Sequence, residues 1–291
     1  MHYNARLISK EMQAIARQNS YKVLEAFLQQ QYKAARESEY TPPPEDLLLA
    51  ATDCCADQVA AYCLEHGQKA TQEMMTSVVV HNSFAMYCLM VKHKAVRINY
   101  VVPWYGDILG TMASDNKIDW VRFCLEHGAD LNTSLVKEHL SALACAVHTG
   151  NIELVDLLLA HGARLKGSNA IVRVAINEDL EMVEYLLSRG ADINKIGIKG
   201  PSGAEAYSDM ESPLHQAAVE GYTEMALFLI EAGADVYLKD LLGRTAEDLA
   251  LEKGHMETLD ALRQKKIKDD IQFYVKSLLG SRKSNNTGLN T

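Results

Sequence analysis

Residues able to do chemistry are plentiful in this chain, but their spacing follows structure. Ten histidines and six cysteines occur among 291 residues. His66, His127 and His161 each stand immediately before a glycine at the end of an apolar run, where a ring with partial positive charge suits a helix C-terminus. Asp53, Cys54 and Cys55 set two thiols beside a carboxylate, the raw material of a metal site or a nucleophile. Against that, Cys63 and Cys124 recur at matching places in two apolar runs, so the cysteines, Cys88 and Cys145 included, read mostly as small core residues. No Gly-x-Ser-x-Gly, Walker loop, His-Glu-x-x-His or Cys-x-x-Cys is present. The residue types therefore predict no catalytic group, no metal ligands and no cofactor. Recognition chemistry is another matter. Tyr100 to Gly106 reads Tyr-Val-Val-Pro-Trp-Tyr-Gly, and Trp104, Tyr105 and Tyr100 can bury large area at small entropic cost.

The elements that would carry these residues follow one plan, clearest from Ser212 to Asp235. Ser212 can cap a helix whose first position is Pro213, where a missing N–H costs nothing. Leu214, Ala217 and Ala218 give that helix a narrow apolar face, and Gly221 supplies the left-handed residue that turns the chain back. Met225, Leu227, Phe228, Leu229 and Ile230 form the buried face of a second helix that ends at Gly233, before a hairpin beginning at Ala234-Asp235. The run Ser-Pro-Leu-His-Gln-Ala matches the ankyrin signature at nearly every position, and the chain resembles the ankyrin-repeat family over roughly residues 10 to 265. The resemblance implies an all-α solenoid of about eight helix-pair repeats with hairpin fingers and a concave face. It also implies that His215 and His255 satisfy local backbone groups.

In chain order, residues 1–32 read as an N-terminal capping helix pair, with Ile15-Ala16-Arg17-Gln18-Asn19 at its turn, and residues 33–45 as a Pro-rich linker. Repeats occupy 46–265, with Asp46 a candidate N-cap and either Lys94 or Ala95 where the third unit should carry glycine. Asn116 marks the turn of the fourth unit. In the sixth, Glu178-Asp179 replaces glycine and leaves the turn one residue short. Equivalent glycines lie 34 residues apart from Gly128 to Gly162, 28 from Gly162 to Gly190 and 43 from Gly190 to Gly233, against an ideal period of about 33. The short interval trims the hairpin after Gly162. The long one is an insertion, 197–211, rich in glycine and expected as a mobile loop. Residues 266–280 form a separate C-terminal helix whose Ile267, Ile271, Val275 and Leu278 should seal the open end, and 281–291 is a polar, disordered tail.

With 48% apolar and 23% charged residues and only 6 prolines, the chain is expected to fold. A net charge of −9 disfavours nucleic acid. No signal-like N-terminus and no membrane-length apolar run is present, which places the protein in cytosol or nucleus without a membrane role. In ankyrin proteins the two residues after each Ala-Ala step face the groove. Here they include Arg17-Gln18, Asp53-Cys54, Val80-His81, Ser114-Asp115, His148-Thr149, Val219-Glu220 and Glu252-Lys253. The expected function is non-catalytic binding of a protein or peptide through groove and fingers, with Trp104, Tyr105, Tyr100, Asp115, His148, Glu220 and Tyr207 as contact residues. The alternatives are an enzyme or small-molecule binder with a concave-face pocket near the insertion, and a structural subunit that positions other proteins. Asn132 and Asn194 end matching hairpins and resemble asparagines that some ankyrin proteins present to a hydroxylase.

Overall fold

The computed structural model describes residues 10–20, 22–24, 26–27, 45–103, 106–131, 141–166, 168–196 and 211–285. Trp104, Tyr105, Asn132, Tyr207, residues 33–44 of the linker and residues 197–210 of the insertion lie outside the described residues.

The chain divides into two compact units, Met1–Met112 with Lys117–Asp130, and Ala113–Asn116 with Leu131–Thr291. In chain order the elements are α1 (Lys10–Gln18), α2 (Glu45–Asp53), α3 (Asp57–Glu65), α4 (Gln72–Val80), α5 (Phe84–Lys92), β1 (Val101–Val102), β2 (Gly106–Asp107), α6 (Ile108–Ser114) and α7 (Ile118–Glu126). They continue with α8 (Ala142–His148), α9 (Ile152–Ala160), α10 (Ala170–Ile176), α11 (Leu180–Ser188), α12 (Pro213–Glu220), α13 (Thr223–Glu231), α14 (Ala246–Lys253) and α15 (Met256–Asn285). Short helices pair as first and second members of a repeat, and each unit is an all-α ankyrin-type stack. Within the second unit the first helices α8, α10, α12 and α14 lie side by side, and α13 packs on α15. Within the first unit α1, α2 and α4 form one layer, and α3 packs on α5.

Local chemistry explains the pairs. Thr71, Ser141, Ser212 and Thr245 each cap a first helix by accepting a hydrogen bond from the backbone N–H three residues on, which satisfies one orphaned donor. Each first helix then stops at a left-handed residue. Gly221 holds that place at φ 75°, Asn82 and Asn116 at 50° and 56°, and Cys55 and Glu178 at 52° and 55°. Asn19 does the same at φ 40° after α1, beside buried Ile15 and Ala16. Glycine is indispensable at Gly221, because an added Cβ would lie 2.7 Å from the ring Cγ of His255.

Several expectations change, and one open alternative is resolved. Glu178 adopts the turn conformation itself, and Asp179 caps α11 through the Met182 N–H at 3.0 Å, so the sixth turn has full length and differs only in residue type. Lys94, not Ala95, takes the glycine position of the third unit: its N–H reaches Val91 O and that of Ala95 reaches Met90 O, as Gly128 and Ala129 do on Leu125 and Cys124. Helix α2 already begins at Glu45, which puts Asp46 inside the first turn. Leu227 is 45% exposed, on the side of α13 turned away from its neighbours, and Cys55 is exposed at its turn. Finally, no break separates the last repeat from a C-terminal helix. The stretch from Met256 to Lys276 has neither glycine nor proline, and α15 runs unbroken to Asn285, into the segment read as a tail. Its Leu259 and Leu262 are fully buried, but Ile267, Ile271 and Val275 are exposed and seal nothing. An apolar stripe at helical spacing says which side chains share a face, not whether a surface waits there.

The third unit is filled by aromatics. Tyr87 is fully buried and stacks on Trp120 at 5.0 Å, while Phe84 and Phe123 close around them at 5.4 to 5.8 Å. The Tyr87 hydroxyl donates to Ile98 O at 3.3 Å, which gives its buried polar end a partner.

Candidate functional site

The last turns of the first helices display the residues expected to face a partner. Asp53, His81, Asp115, His148, Glu220 and Glu252 are all exposed, because their side chains sit where one helix ends and no neighbour covers it. Polar links tie adjacent helices within each unit. The Ser77 hydroxyl donates to Asp53 Oδ1 at 2.7 Å, joining α4 to α2. Asn177 Nδ2 donates to His148 Nδ1 at 2.8 Å, joining the end of α10 to α8. That contact assigns His148 Nδ1 as an acceptor, so the neutral ring carries its proton on Nε2.

The C-terminal repeats hold a charge cluster around buried Glu211 and Asp240. Arg244 reaches Glu211 Oε1 at 3.2 Å, Asp240 Oδ2 at 2.8 Å and Glu252 Oε2 at 3.8 Å, and Gln216 Nε2 donates to Glu211 Oε2 at 2.8 Å. Burial pushes the Glu211 carboxyl up to about 7, with the Arg244 guanidinium opposing. Burial also works against Asp240, but hydrogen bonds from Arg244 and from the Leu242 N–H outweigh it and hold that carboxyl below its usual range. Glu211 was expected in the mobile insertion and is instead a buried anchor at its C-terminal end, since Arg244 and Gln216 both bind it.

The same cluster builds a rigid finger tip. Asp240 Oδ1 accepts from the N–H groups of Leu242 and Arg244, both at 2.8 Å, and Asp240 N–H donates to Arg244 O. Leu241 and Leu242, between them, are 60% and 55% exposed, and Tyr237 is exposed beside this finger. This pair is not among the residues expected from sequence to make contact. Its signal was available: two leucines between Asp240 and Gly243, at a turn where polar residues are the rule. The other predicted finger is a short hairpin in which Val101 pairs with Asp107 and Val102 with Gly106. Tyr100 is half-buried there, its carbonyl accepting from Ile108 N–H, and Val101 is exposed.

Five of the histidines are structural. His66, His127 and His161 each donate Nδ1–H to the carbonyl four residues back, at 2.8 to 2.9 Å. His215 is buried, which lowers its pKa. Its Nε2 lies 3.1 Å from Arg244 O, so Nε2 bears the proton and Nδ1 accepts from the Ser212 hydroxyl at 2.7 Å. His255 donates Nε2–H to Val219 O at 2.9 Å. Both rings serve the backbone, as the resemblance implied. Burial pushes the Cys63 thiol up to about 12 and the Cys124 thiol to about 11, which keeps both protonated and poorly nucleophilic. Among the described residues no group of three or more His, Cys, Asp or Glu is placed to hold a metal ion, and no helix is long and apolar enough to cross a membrane. Asn194 spends its amide oxygen on the Asp235 N–H at 2.8 Å, as Asn99 does on Asp130 at 3.0 Å.

One cavity of about 360 Å³ opens where the hairpin after Gly162 is shortened. Leu165, Lys166, Asn169, Ile171, Asp192 and Lys195 line it, and none of the predicted contact residues does. It ends at Lys195, just before the insertion. The Asn169 Oδ1 atom is buried without a hydrogen-bond partner among the described residues.

Comparison with known proteins agrees with this architecture. Residues 109–196 match a family model described as ankyrin repeats in three copies, and residues 214–263 match one described as ankyrin repeats in many copies. Human cyclin-dependent kinase 4 inhibitor B is 34% identical over 125 residues, which cover 42% of this chain and 84% of that protein. The mouse B-cell lymphoma 3 protein homolog is 34% identical over 134 residues, 44% of this chain and 27% of the relative. Phosphocholine transferase AnkX of Legionella pneumophila is 26% identical over 140 residues, 47% of this chain and 14% of the relative. The chain thus spans most of the first relative's length and a minor part of the other two.

Proposed function

The chain belongs to the ankyrin-repeat family, a protein-binding fold, and we propose that it holds a protein or peptide partner across its first-helix ends and its finger tips, without catalysis. The observation that carries this reading is the Asp240–Arg244 turn. Two leucines, each more than half exposed, stand on a turn whose polar groups are tied to one another. Such a display loses little conformational entropy on binding, so more of the burial energy appears as affinity. Exposed Asp115, His148 and Glu220 supply a polar rim. Trp104, Tyr105 and Tyr207 stay in the proposed contact set on sequence grounds. The human relative's name describes an inhibitor of a kinase, which supports a protein rather than a metabolite as partner. All six cysteines are unpaired, which supports placement in a reducing compartment such as cytosol or nucleus.

A second reading places a small molecule in the cavity at Lys166 and Lys195, and it is favoured by the partnerless Asn169 oxygen. Affinity capture with mass spectrometry separates the two, comparing wild type with the double change Leu241→Ser and Leu242→Ser. A stoichiometric protein held by wild type and released by the variant, with affinity lowered about thirtyfold or more, supports the finger. Equal retention by both removes the leucines from the site, and a co-purifying metabolite supports the cavity.

A further inference from the structure

We propose that the part of α15 beyond the last repeat is a docking face for an anionic membrane surface, on which it lies without spanning. The helix has 30 residues and a length of about 45 Å. Its start is packed through Leu259 and Leu262. Further along, one flank is tied down: Arg263 and Lys266 bind Glu247 at 3.0 and 2.7 Å, the Lys266 ammonium lies 5.4 Å from the Tyr237 ring, and Tyr237 donates to Asp270 at 3.2 Å. Away from that flank Ile267, Ile271 and Val275 are between 46% and 59% exposed. At 100° per residue these three fall within an arc of about 80°, on one face of the helix. Phe273 is also exposed, off this stripe.

Charge chooses the occupant. From Arg263 to Lys283 there are seven Lys or Arg and two Asp, in a chain whose net charge is −9. Both acids are engaged within the fold, Asp269 with Lys265 at 2.7 Å and Asp270 with Tyr237, and Arg263 and Lys266 are engaged with Glu247, so the positive excess rests on exposed Lys268 and Lys276 and on the basic residues that follow in sequence. Lys268 borders the apolar stripe, so the face offers hydrocarbon edged by positive charge. That combination binds anionic headgroups while the apolar side chains enter the headgroup boundary. A second copy of the helix would instead bring the same excess of positive charge against it. The absence of a spanning run, which led the sequence reading to expect no membrane, does not bear on a helix that lies in the interface.

The test is co-sedimentation of the full chain with vesicles of phosphatidylcholine containing about 30% phosphatidylserine, against pure phosphatidylcholine. The proposal expects binding to the first only, reduced at least fivefold in roughly 0.5 M salt. It also expects loss with Ile271→Asp plus Val275→Asp, and a severalfold reduction with Lys268→Gln plus Lys276→Gln. All four positions are exposed, so melting of the variants should match wild type. Failure to bind the anionic vesicles, or binding that ignores both variants, overturns the proposal. So does a wild-type dimer in sedimentation equilibrium that Ile271→Asp dissociates, since the face would then belong to a second copy.

Discussion

Two repeats of this chain reach the same geometry by different chemistry. The Ser212–Asp235 pair has a serine cap, proline at the first helical position, Gly221 at the turn and a buried His215 bridging Ser212 to Arg244 O. The Thr71–Ala95 pair shares only the hydroxyl cap, supplied by Thr71. It turns at Asn82 and Lys94, and its interior is held by Tyr87 stacked on Trp120. The difference teaches that the backbone turn is common property, whereas what fixes a repeat to the next one is local: a hydrogen-bonded imidazole in one case, aromatic area in the other.

The comparison can be broken most severely at Leu214, which is 2% exposed at the seam of the first pair. Leu214→Asp buries an unpartnered carboxylate and should cost at least about 4 kcal/mol; unchanged thermal melting would contradict the seam. For the aromatic pair the matching change is Trp120→Ala, which leaves a cavity against Tyr87 and should cost about 3 to 4 kcal/mol by urea unfolding. Gly221→Ala comes next, at about 3 kcal/mol, because the methyl displaces the His255 ring and its bond to Val219 O as well as straining φ. Gly128→Ala, with open space around its Cβ, should cost only about 1 kcal/mol.

The charged support of the first pair gives a pH signature that the aromatic pair lacks. The Glu211 carboxyl is raised in the fold to about 7, so its stabilising contribution is complete below its ordinary value, near 4.5, and is lost as pH rises through 7. Burial depresses His215, whose contribution has the opposite sign: present above its ordinary value, near 6.5, and lost as pH falls through its folded pKa. Glu211→Gln isolates the first effect. Between pH 5 and 8 wild type should lose about 1 to 2 kcal/mol relative to this variant, less than full linkage because Arg244 is partly solvated. Parallel melting curves of the two across that range would show that Arg244 neutralises Glu211 throughout. The smallest effect is a gain. Lys94→Gly relieves a left-handed lysine at φ 54° and should stabilise by about 0.5 to 1 kcal/mol, measured as a higher urea midpoint.

Much of the fold was legible because it is local. Caps such as Ser212, turn residues such as Asn116 and Gly221, and the buried alternation of Ala and Leu are decided by a few neighbouring residues. Glu178 and Lys94 were harder, since any residue can be forced left-handed when the surrounding helices over-determine the turn. The exposure of Asp115, His148 and Glu220 was legible from position alone, but that of the Leu241–Leu242 tip was not. Its exposure depends on Asp240 folding the turn outward and on no helix covering it.

By itself the sequence determined the repeating helix pair, its glycine punctuation and the shortened interval after Gly162, because short-range sterics and capping act within one unit. Only tertiary structure decided that Trp120 fills the third repeat, that Glu211 is an anchor rather than part of a loop, and that Ile267, Ile271 and Val275 face solvent. Each of those outcomes depends on which surface lies opposite a side chain, and residues far apart in sequence supply that surface or leave it absent.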